Sequence, residues 1–96
     1  MKDEIEKMIN HISNDYRLEE EKNNNKYYYK KDNNYTIRII LRSSSWDIDL
    51  WEGEKYTIKK PYHKIYLGGI YFDYFKICLK EVEDLLNEIK ITYRAL

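Results

Sequence analysis

The chain has 96 residues with 17 basic and 17 acidic side chains, which leaves room for one hydrophobic core and supplies no global field toward nucleic acid, membrane or an acidic partner. A hydrophobic content of 43% beside 35% charged residues excludes a disordered chain. No segment is apolar for long enough to span a bilayer and the N-terminal residues lack a signal-like apolar run, so a single cytoplasmic domain over 1–96 is expected.

Ile5, Met8, Ile9, Ile12 and Tyr16 recur at helical spacing, with Asp3, Glu4 and Glu6 in the first turn, where carboxylates complement the helix dipole. This predicts an amphipathic helix from about Asp3 to Glu21. The asparagines of the 22–26 stretch end it, and Tyr27, Tyr28, Tyr29 and Lys30 then have the aromatic content of a strand. With Asp32, Asn33 and Asn34 as a three-residue loop, Tyr27 and Tyr29 fall on the core face and Tyr28 on the outer face beside Arg38.

From Tyr35 to Ile58 apolar and polar residues alternate at a period of two, the pattern of a half-buried antiparallel meander. Pairing Leu41 with Trp46, Ile39 with Ile48 and Ile37 with Leu50, then Leu50 with Tyr56 and Ile48 with Ile58, keeps the large apolar side chains on one face. A one-residue slip would bury Asp47 and Asp49, so the register is well specified. On the other face Arg38 lies across from Asp49 and Asp47 across from Lys59, each pair contributing roughly 0.2–1 kcal/mol.

Pro61 interrupts the ladder by removing a backbone donor. Gly68 and Gly69, flanked by Lys64 to Leu67 and Ile70 to Asp73, read as a two-residue hairpin loop that pairs Leu67 with Ile70 and Ile65 with Phe72. Phe75, Cys78, Leu79, Val82, Leu85, Leu86, Ile89 and Tyr93 then share one helical stripe, predicting a helix from about Tyr74 to Arg94 with Asp73 as N-cap. The expected fold is α+β: a four- to five-stranded antiparallel meander with an N-terminal and a long C-terminal helix on one face, the other face open to solvent.

The sequence has no phosphate-binding glycine loop and no Cys or His spacing suited to zinc, so neither an enzyme nor a cofactor is expected. Asp47 and Asp49 share a strand face and could hold Mg²⁺ with Glu52 or Glu54, but pairing with Arg38 and Lys59 is the simpler use of them. His11 is most simply a surface residue, and His63 has no identifiable partner. Cys78, the single cysteine, stands inside the apolar stripe with no basic neighbour in sequence to activate it, as a small buried hydrophobe would.

Two binding functions remain. Tyr28, Arg38, Ile40, Trp51 and Lys55 are placed together on the outer sheet face, and Trp, Tyr and Arg dominate protein interface hot spots. The competing explanation is that these aromatics only cover the sheet. The second function is single-stranded nucleic-acid binding by Lys26, Tyr28, Lys30, Lys31 and Arg42, basic groups beside aromatic platforms. Asp47 and Asp49 on the same surface would repel phosphate and favour the first reading. An exposed sheet edge could also pair two copies.

No motif points to a family. A short, motif-free chain rich in Lys, Asn, Ile and Tyr is similar in kind to phage and mobile-element accessory proteins, including inhibitors of bacterial defence nucleases such as anti-CRISPR proteins. That likeness implies a protein of a bacterial or phage-infected host that blocks a larger protein or ribonucleoprotein complex by occupying its surface.

Overall fold

A computed structural model describes residues 2–32, 34–53 and 65–95 of the protein, with side chains for 3–32, 34–53 and 66–90. In chain order these form helix α1 (Lys2–Ile12), strands β1 (Arg17–Lys22), β2 (Asn25–Asp32), β3 (Tyr35–Leu41), β4 (Ser45–Glu52) and β5 (Ile65–Gly69), and helix α2 (Phe72–Ala95). The strands make one antiparallel sheet in the order β1-β2-β3-β4-β5. Met8 and Ile12 of α1 and Phe75, Cys78, Leu79, Val82 and Leu86 of α2 pack on one sheet face, around Ile37, Ile39, Leu41, Trp46, Ile48 and Leu50. The α+β architecture with both helices on one face is therefore as the sequence pattern predicts.

The β3–β4 register also follows that pattern. Leu41 lies opposite Trp46, Ile39 opposite Ile48, Ile37 opposite Leu50 and Arg38 opposite Asp49. β2 does not. Asp32 pairs with Tyr35, leaving two residues between the strands in place of the expected three. That single residue turns every side chain of β2 over, because strand side chains alternate. Tyr28 is consequently buried in the main core opposite Ile39, while Tyr27 and Tyr29 stand on the outer face opposite Ile40 and Arg38.

The N-terminal helix is shorter than its apolar period suggests. Ser13 to Asp15 form a turn after Ile12, and Tyr16 keeps its place in the core from that turn. The residues expected to be its last turns instead form β1, an edge strand exposed along its whole length. Asn23 and Asn24 have φ of 54° and 67°, the left-handed pair that a two-residue hairpin requires and that asparagine tolerates. They join Lys22 to Asn25 and hold the chain in the sheet.

The hairpin expected around Gly68 and Gly69 is absent. Both glycines belong to β5, which pairs with β4 through Gly69–Ser45, Gly68–Trp46 and Tyr66–Ile48. β5 thus takes the place beside Ile48 that was expected for Ile58; residues 54–64, with Tyr56, Ile58 and Lys59, lie outside the described residues. Helix α2 begins two residues earlier than predicted, at Phe72, so Asp73 sits in its first turn and is not its N-cap. A carboxylate from another element does that work: the Phe72 N–H donates to Glu4 Oε2 at 2.7 Å, satisfying one of the helix's orphan donors and tying α1 to α2.

Candidate interaction surfaces

The outer sheet face carries Arg17, Tyr29, Arg38 and Asp49 in one row across β1 to β4, and Glu20, Tyr27, Ile40 and Asp47 in the next. Arg38 Nε donates to Asp49 Oδ2 at 3.0 Å, and Nη2 reaches the same oxygen. The Arg38 guanidinium also lies 4.9 Å from the centre of the Trp51 ring. Arg42 Nη1 is 2.6 Å from Asp47 Oδ2, in the position the sequence suggested for Lys59. Both carboxylates proposed for Mg²⁺ are therefore engaged by arginines. Among the described residues no group of three His, Cys, Asp or Glu side chains is arranged to hold a metal ion.

The five residues expected to form a protein-binding patch are not together at the surface. Tyr28 belongs to the core behind the sheet, Lys55 lies outside the described residues, and Ile40 and Trp51 are buried on the outer face, Trp51 with only 7% of its surface accessible. Arg38 alone is partly exposed. The nucleic-acid set is also divided. Lys26, Tyr28 and Lys30 project to the helix side of β2, Lys31 projects to the other side, and Arg42 is held by Asp47. The inverted β2 accounts for the placement of Lys26, Tyr28 and Lys30, since it exchanges Tyr28 for Tyr27 and Tyr29 on the outer face; the burial of Ile40 and Trp51 on β3 and β4 is separate from it.

The exposed apolar surface is elsewhere. Leu67 on β5, Tyr71 just before α2, and Tyr74 and Ile77 in its first two turns are large hydrophobic residues at the surface, Tyr71 with 71% and Ile77 with 58% accessibility. Tyr71, Tyr74 and Ile77 succeed one another at three-residue steps, so they form a strip along the start of α2 beside its core stripe. Tyr74 is fixed there by its ring contact with buried Trp46, 5.7 Å between centroids. Sequence reasoning passed over this strip because Tyr71 was assigned to a hairpin and Tyr74 to a helix boundary. Its signal was nevertheless present, in apolar residues spaced at three that the core stripe Phe75, Cys78, Leu79 and Val82 does not include.

The chemistry around the strip is not that of a reactive site. Cys78 is buried, and burial raises its thiol pKa above the usual value, which keeps it protonated and inert. Tyr66 donates to the Glu81 carboxylate, and that bond pushes its hydroxyl up to about 12. On the other flank of α2 the Tyr16 hydroxyl donates to Glu83 Oε2 at 2.8 Å. Burial first and the Glu83 charge second raise the Tyr16 pKa, so Tyr16 remains a hydrogen-bond donor throughout the ordinary pH range.

No family model, curated protein or solved structure matches the chain. Among the described residues no helix is long and apolar enough to cross a membrane.

Proposed function

We propose that this protein is a non-enzymatic binding module that occupies the surface of a larger protein or ribonucleoprotein complex, using the aromatic strip at the start of α2. The exposed Tyr71–Tyr74–Ile77 strip carries this reading. Tyrosines on a rigid helix supply large contact areas at small entropic cost, and a concentrated apolar patch on a small domain is what partner-binding surfaces present. The accessory-protein role inferred from composition, an inhibitor acting in the cytoplasm of a bacterial or phage-infected host, is compatible with such a surface. A compact domain that blocks a machine by covering it needs no catalytic group.

The test is retention of a partner by immobilised protein in host lysate treated with nuclease. Wild-type protein is expected to hold one large partner through a rise in salt from roughly 50 to 200 mM, a range over which binding through several phosphates would fall steeply. Retention that falls steeply over that salt range would reject the proposal.

One arrangement favours single-stranded nucleic acid as the second reading. Tyr27 and Tyr29 lie on the outer face with Arg17, Lys31 and Arg38, so aromatic rings and cations share one surface. Against it, the Arg38 and Arg42 charges are already neutralised by Asp49 and Asp47.

A further inference from the structure

Helix α1 ends at Ile12 while α2 runs for 24 residues, and beyond the reach of α1 the second half of α2 lies over β2 and β3, where Lys90 meets Asp32. A cleft of about 240 Å³ lies there, lined by Lys30, Asp32, Ile37, Glu83, Asp84, Leu86 and Asn87. Ile37 and Leu86 stand at its base but are almost wholly buried, so the surface it exposes is mainly polar. Its walls are charged.

Those charges are not all balanced. Lys90 Nζ is 2.8 Å from Asp32 Oδ2, and Lys80 Nζ is 3.3 Å from Asp84 Oδ1. Lys30 and Glu83, of opposite sign, have no ion-pair partner among the described residues. Both are positioned by one ring: the Lys30 ammonium stands 5.6 Å from the centre of Tyr16, whose hydroxyl donates to Glu83. The cleft therefore presents a cation and an anion, both held from behind by the buried Tyr16. Asn87, one helical turn beyond Glu83, adds an amide on the same face of α2.

We propose that this cleft binds a small ω-amino carboxylate, a molecule with a primary ammonium at one end, a carboxylate at the other and a methylene stem between. The ligand carboxylate accepts from Lys30, the ammonium donates to Glu83 and the Asn87 carbonyl, and the stem spans the cleft between them. A ligand with only one charge is disfavoured by the group of like sign, since an anion meets Glu83 and a cation meets Lys30. A free ω-amino acid and the C-terminal lysine of a peptide both carry this chemistry. The cleft shares no residue with the Tyr71–Ile77 strip, so the proposal stands apart from the protein-binding reading.

The experiment is an amide chemical-shift titration of the full chain with ε-aminocaproate, Nα-acetyl-L-lysine, caproate and hexylamine. Saturable shifts centred on Lys30, Glu83 and Asn87 are expected with the first two probes, with Kd on the order of 0.1–10 mM for two charge-assisted contacts in a half-open site. Tighter binding of ε-aminocaproate identifies the free compound as the source, and tighter binding of Nα-acetyl-L-lysine identifies a peptide terminus. Caproate and hexylamine should bind at least about tenfold more weakly, as should ε-aminocaproate to Lys30→Met or Glu83→Gln protein. The proposal is overturned if folded wild-type protein shows no saturable shift up to about 100 mM probe, roughly tenfold above that Kd range. An equal response to caproate or hexylamine overturns it too.

Discussion

Gly68 lies against the indole of Trp46 so closely that a Cβ on it would stand 2.7 Å from Trp46 Cε2 and nearer still to Cζ2. Trp46 cannot retreat, because it is fully buried and held edge-on by Phe75 at 5.3 Å between ring centroids. The glycine that reads as a turn is there to let a strand approach a tryptophan. Gly68→Ala should therefore destabilise the protein by about 1–3 kcal/mol, the usual cost of overpacking a core. The urea midpoint measures it, and an unchanged midpoint would show that β5 does not rest on Trp46.

The Arg38–Asp49 pair makes a second prediction. The Asp49 side chain is 5% exposed and that of Arg38 26%, so removing the arginine leaves a nearly buried carboxylate without its two donors. Arg38→Met should cost about 1–3 kcal/mol, less than a fully buried pair because solvent reaches the guanidinium. Replacing both partners with apolar residues, Arg38→Met with Asp49→Val, should recover most of the loss. A single variant as stable as wild type would contradict the pairing.

Acid should loosen the joint between the helices. The Phe72 N–H first, and Lys7 second, hold the Glu4 pKa below its usual value. A carboxylate depressed in the folded state contributes stability that is fully present above its unfolded pKa of about 4.3 and is lost as pH falls through the lower folded value. Unfolding free energy measured from roughly pH 6 to pH 3 should fall less steeply for Glu4→Gln than for wild type over the acid end of that range. Identical slopes would mean that Glu4 does not cap α2.

Much of this fold is legible in the residues, and the failures share a cause. Seven consecutive β3–β4 pairs keep one register, fixed by Ile37, Ile39, Leu41, Trp46, Ile48 and Leu50 on the core face, and the apolar stripe of α2 spans several turns, so long periodic patterns point to the right register and face. The errors sit where one local choice decides. One residue fewer in the turn between β2 and β3 moves Tyr28 into the core. Leu18 to Lys22, good helix formers, become an edge strand because Asn23 and Asn24 fold them back on β2. Pairing across a sheet overrides propensity in such a stretch. The same slips moved Tyr28 off the expected patch and hid the Tyr71–Ile77 strip, whose spacing shows only with the true start of α2.

We place the protein partner at the start of α2 and not on the outer sheet face. Two immobilised variants compared in the same nuclease-treated lysate distinguish the two surfaces, Tyr71→Ser with Ile77→Asp on the strip and Tyr27→Ser with Tyr29→Ser on the sheet. Both pairs include exposed or half-buried side chains, so each variant is first shown to unfold at the wild-type urea midpoint. Loss of one hot-spot aromatic costs at least about 2 kcal/mol, so the strip variant should weaken retention by a factor of about 30 or more while the sheet variant retains the partner as wild type does. Undiminished retention by the strip variant, with loss in the sheet variant, would contradict the claim and move the functional surface to the tyrosines of β2.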